Sequence, residues 1–244
     1  EYFSSTFASS GTVTVAIWFK FEGVLPSAER ILEIRDEAGS IPTNLRVQTR
    51  TSQKLRLAIN NSVVSTSSTN LLTADTWFHL AITVNRSAPE TKVYLNGSLV
   101  SSLTDTTAPS ADFGRLYLGG TSANSNGLYS DCTLFNSVLS AAEIAALYNG
   151  VGNIDPRDHS KAANLVSWWA FEDNHFKNYF TTPDTGTTIF DRVGSNNLTI
   201  DSGAGTFVLG RHYVSIFNEN RSHLLTGAEE LTIDAKTTFM AVKC

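Results

Sequence analysis

Asp75-Thr-Trp-Phe-His-Leu-Ala-Ile-Thr-Val-Asn85, Lys92-Val-Tyr-Leu-Asn-Gly-Ser-Leu-Val100, Leu116-Tyr-Leu-Gly-Gly120 and Leu139-Ser-Ala-Ala-Glu-Ile-Ala-Ala-Leu-Tyr-Asn-Gly150 follow one another in a single stretch, and their order decides the fold. The first three are short alternating apolar runs. Asn96-Gly97 supplies the positive φ angles of a tight hairpin. The fourth is the one convincing helix, with Ser140 as N-cap and Glu143 three residues on as its capping-box partner. Outward from this stretch the period of two continues. Thr12, Thr14, Ala16, Trp18 and Lys20 alternate with Val13, Val15, Ile17 and Phe19. Ile31 to Arg35, Leu45 to Thr49, Leu55 to Ile59 and Tyr129 to Phe135 read as further strands between turn residues. The expectation is an all-β, antiparallel β-sandwich with one short helix near 140–148.

The order of these motifs resembles the LamG-like jelly roll of the concanavalin A-like lectin/glucanase superfamily. There a W-x-H-x-A-x-T strand precedes a Y-x-N-G hairpin, and an L-S-x-x-E-I-x-x-L-Y-N-G helix closes the domain. The resemblance implies a fold but no single function, since that superfamily holds lectins, adhesion modules, virion proteins and hydrolases.

Residues 164–244 resemble the opening of the same domain type. Leu165-Val-Ser-Trp-Trp-Ala-Phe-Glu-Asp173 is similar to its first strand, Ile189-Phe-Asp-Arg-Val-Gly-Ser-Asn-Asn-Leu198 to its polar turn, and His212-Tyr-Val-Ser-Ile216 to a later strand. Leu231 to Lys243 repeats the type of element found at Gly11 to Lys20. The chain thus reads as the C-terminal portion of one unit (1–151), a polar linker carrying Pro156 (152–163), and the N-terminal portion of another (164–244). A half sandwich leaves its apolar face and strand edges open. Three arrangements satisfy this. The chain is a window on a tandem array; or its C-terminal segment completes the N-terminal unit as in a circular permutant; or that segment completes a neighbouring copy by strand donation.

With 244 residues the chain has enough material for one sizeable sandwich core. Charged residues make up 17% and the net charge is −5, with Ser, Thr and Asn abundant, a composition that fits a secreted, extracellular or virion-surface β protein. No basic cluster stands out in the linear sequence, which argues against nucleic acid as partner. No apolar run approaches the roughly 18 residues of a membrane span. No signal peptide is read, and the start at Glu1 leaves a removed leader open. Cys132 and Cys244 permit a disulfide without demanding one. Asn-x-Ser/Thr sequons at Asn60, Asn85, Asn96, Asn197 and Asn220 matter only in a glycosylating source.

Candidate site residues fall into three groups. Trp168 and Trp169 are adjacent, so in a strand they point to opposite faces: one is core and the other is a candidate stacking platform, for which Trp169 is the choice. Trp18 and Trp77 are expected in the core. With Asn124 and Asn126 in the Gly119–Gly127 loop, and with Tyr129, Trp169 makes up a candidate sugar site. The resemblance further implies calcium at a loop rim, held by Asp131, Asp191, Asn196 and Asn197, although Asp191 and Asn197 could equally cap their own turn. Ile31-Leu-Glu-Ile-Arg-Asp-Glu37 is similar to the E-x-D-x-E strand of laminarinase-type hydrolases, but Arg35 stands at the central acid and Glu33 and Glu37 alone would share the face. The five His are scattered, with no zinc spacing. The leading reading is a non-catalytic carbohydrate-binding or adhesion module whose partner is a glycan or a surface protein. The alternative is a structural repeat that assembles with copies of itself through half-domain docking, and a glycoside hydrolase comes third.

Overall fold

The computed structural model describes residues 3–39, 44–51, 53–119, 127–149, 155–171, 188–200, 217–218 and 221–222. Two antiparallel sheets face one another. The larger has eight strands in the order β13-β14-β1-β10-β3-β4-β5-β6, and the smaller has six in the order β12-β11-β2-β7-β8-β9. The larger is built from β1 (Phe3–Ser10), β3 (Arg30–Arg35), β4 (Asn44–Arg50), β5 (Lys54–Ile59), β6 (Ser62–Thr66), β10 (Phe113–Leu118), β13 (Thr188–Ile189) and β14 (Leu198–Ile200). The smaller holds β2 (Thr12–Phe21), β7 (Phe78–Asn85), β8 (Glu90–Leu95), β9 (Ser98–Leu99), β11 (Gly127–Phe135) and β12 (Leu165–Trp169). A separate short ribbon, β15 (Phe217–Asn218) with β16 (Arg221–Ser222), is also present. This is the expected jelly roll, although β1 and β6 had no counterpart among the strands read from sequence.

The alternation in β2 sorts its side chains between two cores. Val13, Val15, Ile17, Phe19 and Phe21 enter the main core with Ile34, Leu45, Val47, Leu57, Leu116 and Leu118 of the opposite sheet. Each such side chain contributes about 1.5–3 kcal/mol by leaving water. The other face of β2 carries a smaller core, in which Ala16 joins Ala81, Tyr94, Phe135, Leu139, Leu165 and Ile144 of helix α1 (Ala141–Asn149).

Helix α1 starts where the capping box places it. The Ser140 N–H donates to Glu143 Oε2 at 2.7 Å, and the Glu143 N–H donates to Ser140 Oγ at 3.3 Å. Thr14 ties the preceding turn to the sheet: its hydroxyl donates to Ser137 O at 2.6 Å and accepts from the Leu139 N–H at 3.0 Å. The far end of the helix meets the β8–β9 hairpin. Asn96 and Gly97 have φ of +49° and +75°, and a Cβ on Gly97 would lie 2.9 Å from Tyr148 Cδ1. Two motifs distant in sequence therefore form one contact.

Trp18 and Trp77 correct an expectation. Both are half-buried on the outer side of the small sheet rather than in the main core. Trp18 shares the even-numbered face of β2 with Ala16, so it sits under the helix, stacked on Tyr148 with ring centres 5.7 Å apart. Lys20 Nζ lies 5.7 Å from the centre of the Trp77 ring.

The segment after the linker rejoins its own chain. β12 pairs with β11, Trp168 opposite Thr133 and Trp169 opposite Cys132, while β14 pairs with β1, Ser4 opposite Thr199. Each sheet thus gains edge strands from residues 165–200. The linker is pinned by His159. The Lys161 N–H donates to its Nδ1 at 3.1 Å, which leaves Nε2 to donate to Glu143 O at 3.1 Å. The sequence matches at 212–216 and 231–243, and Cys244, lie outside the described residues.

Candidate functional site

Trp168 organises the junction between β11 and β12. Its backbone N–H donates to Asp191 Oδ1 at 3.0 Å, and its indole N–H donates to Asp131 Oδ1 at 3.3 Å. Arg157 covers the ring, with its guanidinium carbon 5.4 Å from the ring centre. Asp131 sits at a bulge in β11, where the register against β2 shifts between Ser130 and Thr133, and its φ is +46°. Asp tolerates that conformation better than most residues. Enclosure under Trp168 pushes the Asp131 carboxyl up to about 6, against the pull of hydrogen bonds from Ser130 and Trp168.

Trp169 points the other way and is fully buried in the main core, its indole N–H donating to Asn196 O at 2.7 Å. It offers no ring face to a sugar. Trp168, on the outer side, is itself only 7% exposed. Tyr129 is buried in the core as well, and burial raises its phenol far above the usual range. Alternation along β11 directs its ring inward beside Phe19, its partner in register on β2. Asn124 and Asn126 lie outside the described residues. Of these candidates, Trp169 and Tyr129 are therefore core residues and present no exposed stacking surface.

The Asp191 turn is a brace. Oδ1 of Asp191 accepts from the N–H groups of Trp168 and Val193, both at 3.0 Å, and Oδ2 accepts from that of Asn196 at 3.1 Å. Asn197 Oδ1 accepts from the Asp191 N–H at 3.0 Å, and Asn196 Nδ2 donates to Ser167 Oγ at 2.8 Å. Of the two readings of this turn, the one in which Asp191 and Asn197 cap it describes these bonds. The donor set does not fit calcium as placed. Both Asp191 oxygens already face N–H groups, the Asn196 carbonyl accepts from Ser5 Oγ and Trp169 Nε1, and the Asp131 carboxyl faces Trp168. Among the described residues, no three His, Cys, Asp or Glu side chains gather into a metal-binding group.

The outer face of the eight-stranded sheet carries the remaining candidate. Glu33 lies at its centre, fully buried beneath long side chains. Its carboxylate is 2.8 Å from Arg30 Nε and 3.0 Å from the Arg35 guanidinium, and it accepts from Asn44 Nδ2 at 2.6 Å. Burial by itself would raise the Glu33 carboxyl, but hydrogen bonding and charge from Arg35 and Arg30, helped by Asn44, hold it below the usual range. Arg35 in turn lies over the Tyr117 ring at 4.4 Å. Glu37 does not share this face. β3 ends at Arg35, and Glu37 is exposed in the following turn.

Around Glu33, register places Arg115 opposite Arg35, Arg46 opposite Glu33, and Arg56 opposite Gln48. No basic cluster stands out in the linear sequence, yet strand pairing gathers one on this face. The residues come from β3, β4, β5 and β10 and are far apart in sequence. The signal that finds them is the polar phase of each strand: Glu33 and Arg35, Arg46 and Gln48, Lys54 and Arg56, Arg115 and Tyr117.

Comparison with known proteins bears on this architecture. The family Laminin_G_3, described as Concanavalin A-like lectin/glucanases superfamily, matches residues 3–145. No curated protein sequence matches the chain. Among solved structures, a "putative carbohydrate binding protein" from Bacteroides ovatus ATCC 8483 is 17% identical with a TM-score of 0.58, over 81% of this chain and 55% of that one. An SAP-like pentraxin from Limulus polyphemus is 14% identical with a TM-score of 0.47, over 60% of this chain and 75% of that one. A Trypanosoma rangeli sialidase is 17% identical with a TM-score of 0.47, and this chain spans 22% of its length.

Proposed function

The chain belongs to the concanavalin A-like lectin/glucanase superfamily, and on that premise we propose that it is a non-catalytic carbohydrate-binding or adhesion module that works outside the cell or on a particle surface. The observation that carries the reading is the outer face of the eight-stranded sheet. It is broad, polar and built on paired strands, and the Glu33 carboxylate at its centre is locked by Arg30, Arg35 and Asn44. Retaining glycoside hydrolysis asks for two carboxyl groups about 5–5.5 Å apart, one of them with a raised pKa. Glu33 shifts in the opposite direction, and Glu37 lies off the face. The carbohydrate-binding description of the Bacteroides ovatus protein supports the same class. No described helix is long and apolar enough to cross a membrane.

The alternative of half-domain docking between copies would have to displace β12 from β11 and β14 from β1, pairings that the chain makes with itself. The reading is tested by affinity electrophoresis of the chain through gels containing neutral and acidic polysaccharides, with an assay for new reducing ends. Retardation by at least one polysaccharide without release of reducing ends is the expected result. Release that disappears in Glu33→Gln would put the hydrolase reading first.

A further inference from the structure

The face around Glu33 is strongly polarised. Arg30, Arg35, Arg46, Arg56 and Arg115 lie on it, with Lys54 and Arg50 paired at one end, whereas the chain as a whole carries a net charge of −5. Glu33 neutralises Arg30 and Arg35 directly. Arg46 and Arg56 have no acidic partner among the described residues, and their Nε atoms are buried without a hydrogen-bond acceptor. A buried guanidinium donor left unmatched is costly, and an oxyanion laid across it would recover that cost.

The register gives the arginines of this face a direction. Arg115 and Arg35 are direct neighbours across β10 and β3, Arg46 follows diagonally on β4, and Arg56 diagonally again on β5. Successive strands lie about 4.8 Å apart, so four neighbouring strands each carry a guanidinium, that of Arg35 already paired with Glu33. Burial lowers the Arg56 guanidinium, and Arg50 and Arg46 lower it further. Arg30 is lowered first by burial and then by Arg35 and Arg46, against the pull of Glu33. In both, like charge adds to the larger effect of burial.

Resting on the carbohydrate-binding reading above, we propose that this arginine row is the binding surface for an acidic polysaccharide, one that carries a carboxylate or sulfate on successive sugars. A repeating anion on an extended chain matches cations repeated along a flat sheet. Nucleic acid fits less well. The one aromatic in the row, Tyr117, is buried beneath Arg35 and offers no face for base stacking.

The test uses the full chain with polygalacturonate and chondroitin sulfate as probes, neutral dextran and a short DNA duplex as comparators, and thermal melting as the control for folding. Both acidic polymers should retard the chain, with retardation falling as salt rises. Arg46→Gln/Arg56→Gln should bind about tenfold more weakly while melting no lower than wild type, since it removes crowded charge. Should that variant fail to fold, Arg50→Glu, exposed at the strand end, should still weaken binding. Unchanged affinity in folded Arg46→Gln/Arg56→Gln, or in Arg50→Glu, overturns the proposal. So does tighter binding of the duplex, or a dimer that these substitutions dissolve. Binding to dextran alone would overturn it and leave the carbohydrate-binding reading standing. Binding to no polysaccharide at all would remove both.

Discussion

Asp131 keeps its proton longer than an ordinary carboxyl, and this has a thermodynamic sign. In the unfolded chain it ionises near the usual 3.8, whereas in the folded protein burial holds the proton to about 6. Between these values the unfolded chain binds fewer protons than the native one, so folding loses stability as pH rises through this window, and the loss is complete above about pH 6. Asn also tolerates the φ of +46° and keeps an oxygen for the Trp168 indole. Asp131→Asn should therefore raise the melting temperature at pH 7.5 and have little effect at pH 4. The gain should be about 1–2 kcal/mol, after discounting the group's partial exposure. His79 has the opposite dependence. Burial drops its imidazole to about 3, so the unfolded chain takes up a proton near 6.5 that the native state refuses. Stability attached to His79 is present above pH 6.5 and lost as pH falls toward 3. Its Nδ1 has no hydrogen-bond partner among the described residues and its ring packs 5.2 Å from Trp18, so His79→Phe should fold and flatten the acid limb of a melting-temperature profile. The saturated Asp191 turn leads to a third expectation. Millimolar calcium and EDTA should give superimposable melts, and a calcium-dependent rise would show that the turn opens to hold the ion.

Helix α1 and the β8–β9 hairpin meet at Gly97, where two demands coincide. The backbone needs φ of +75°, and Tyr148 leaves no room for a Cβ. Gly97→Ala should cost about 1–3 kcal/mol, more than the about 1 kcal/mol expected for Ser140→Ala at the helix cap, as read by urea denaturation. Both elements were legible in sequence because Asn-Gly and Ser-x-x-Glu carry their own geometry. The two tryptophan pairs were less so. The alternation of β2 shows that Trp18 and Phe19 face opposite sides, but not that a helix covers the side of Trp18. Likewise, adjacency shows that Trp168 and Trp169 diverge. Which one is buried in the main core depends on the pairing of β12 with β11 and on the Asp191 turn beneath it.

At the scale of the molecule, the return of β12 and β14 covers an edge of each sheet and inserts Trp169, Phe171, Ile189 and Leu198 into the main core. A fragment ending at Lys161 would expose those surfaces, and it should aggregate or lose its cooperative melt. The jelly roll itself was legible because local patterns repeat along the chain. The arginine face was not, because linear charge reading averages over strands that only register brings side by side. Positions such as Arg46 and Arg56, ten residues apart, look like unrelated solvated charges until β4 and β5 pair. The central claim, that the chain holds a polysaccharide without cleaving it, is tested most directly by size-exclusion chromatography with light scattering after long incubation with polygalacturonate. The account predicts that the chain co-elutes with a polymer of unchanged mass. A polymer whose mass falls with time, and falls no longer with Glu33→Gln, would contradict it.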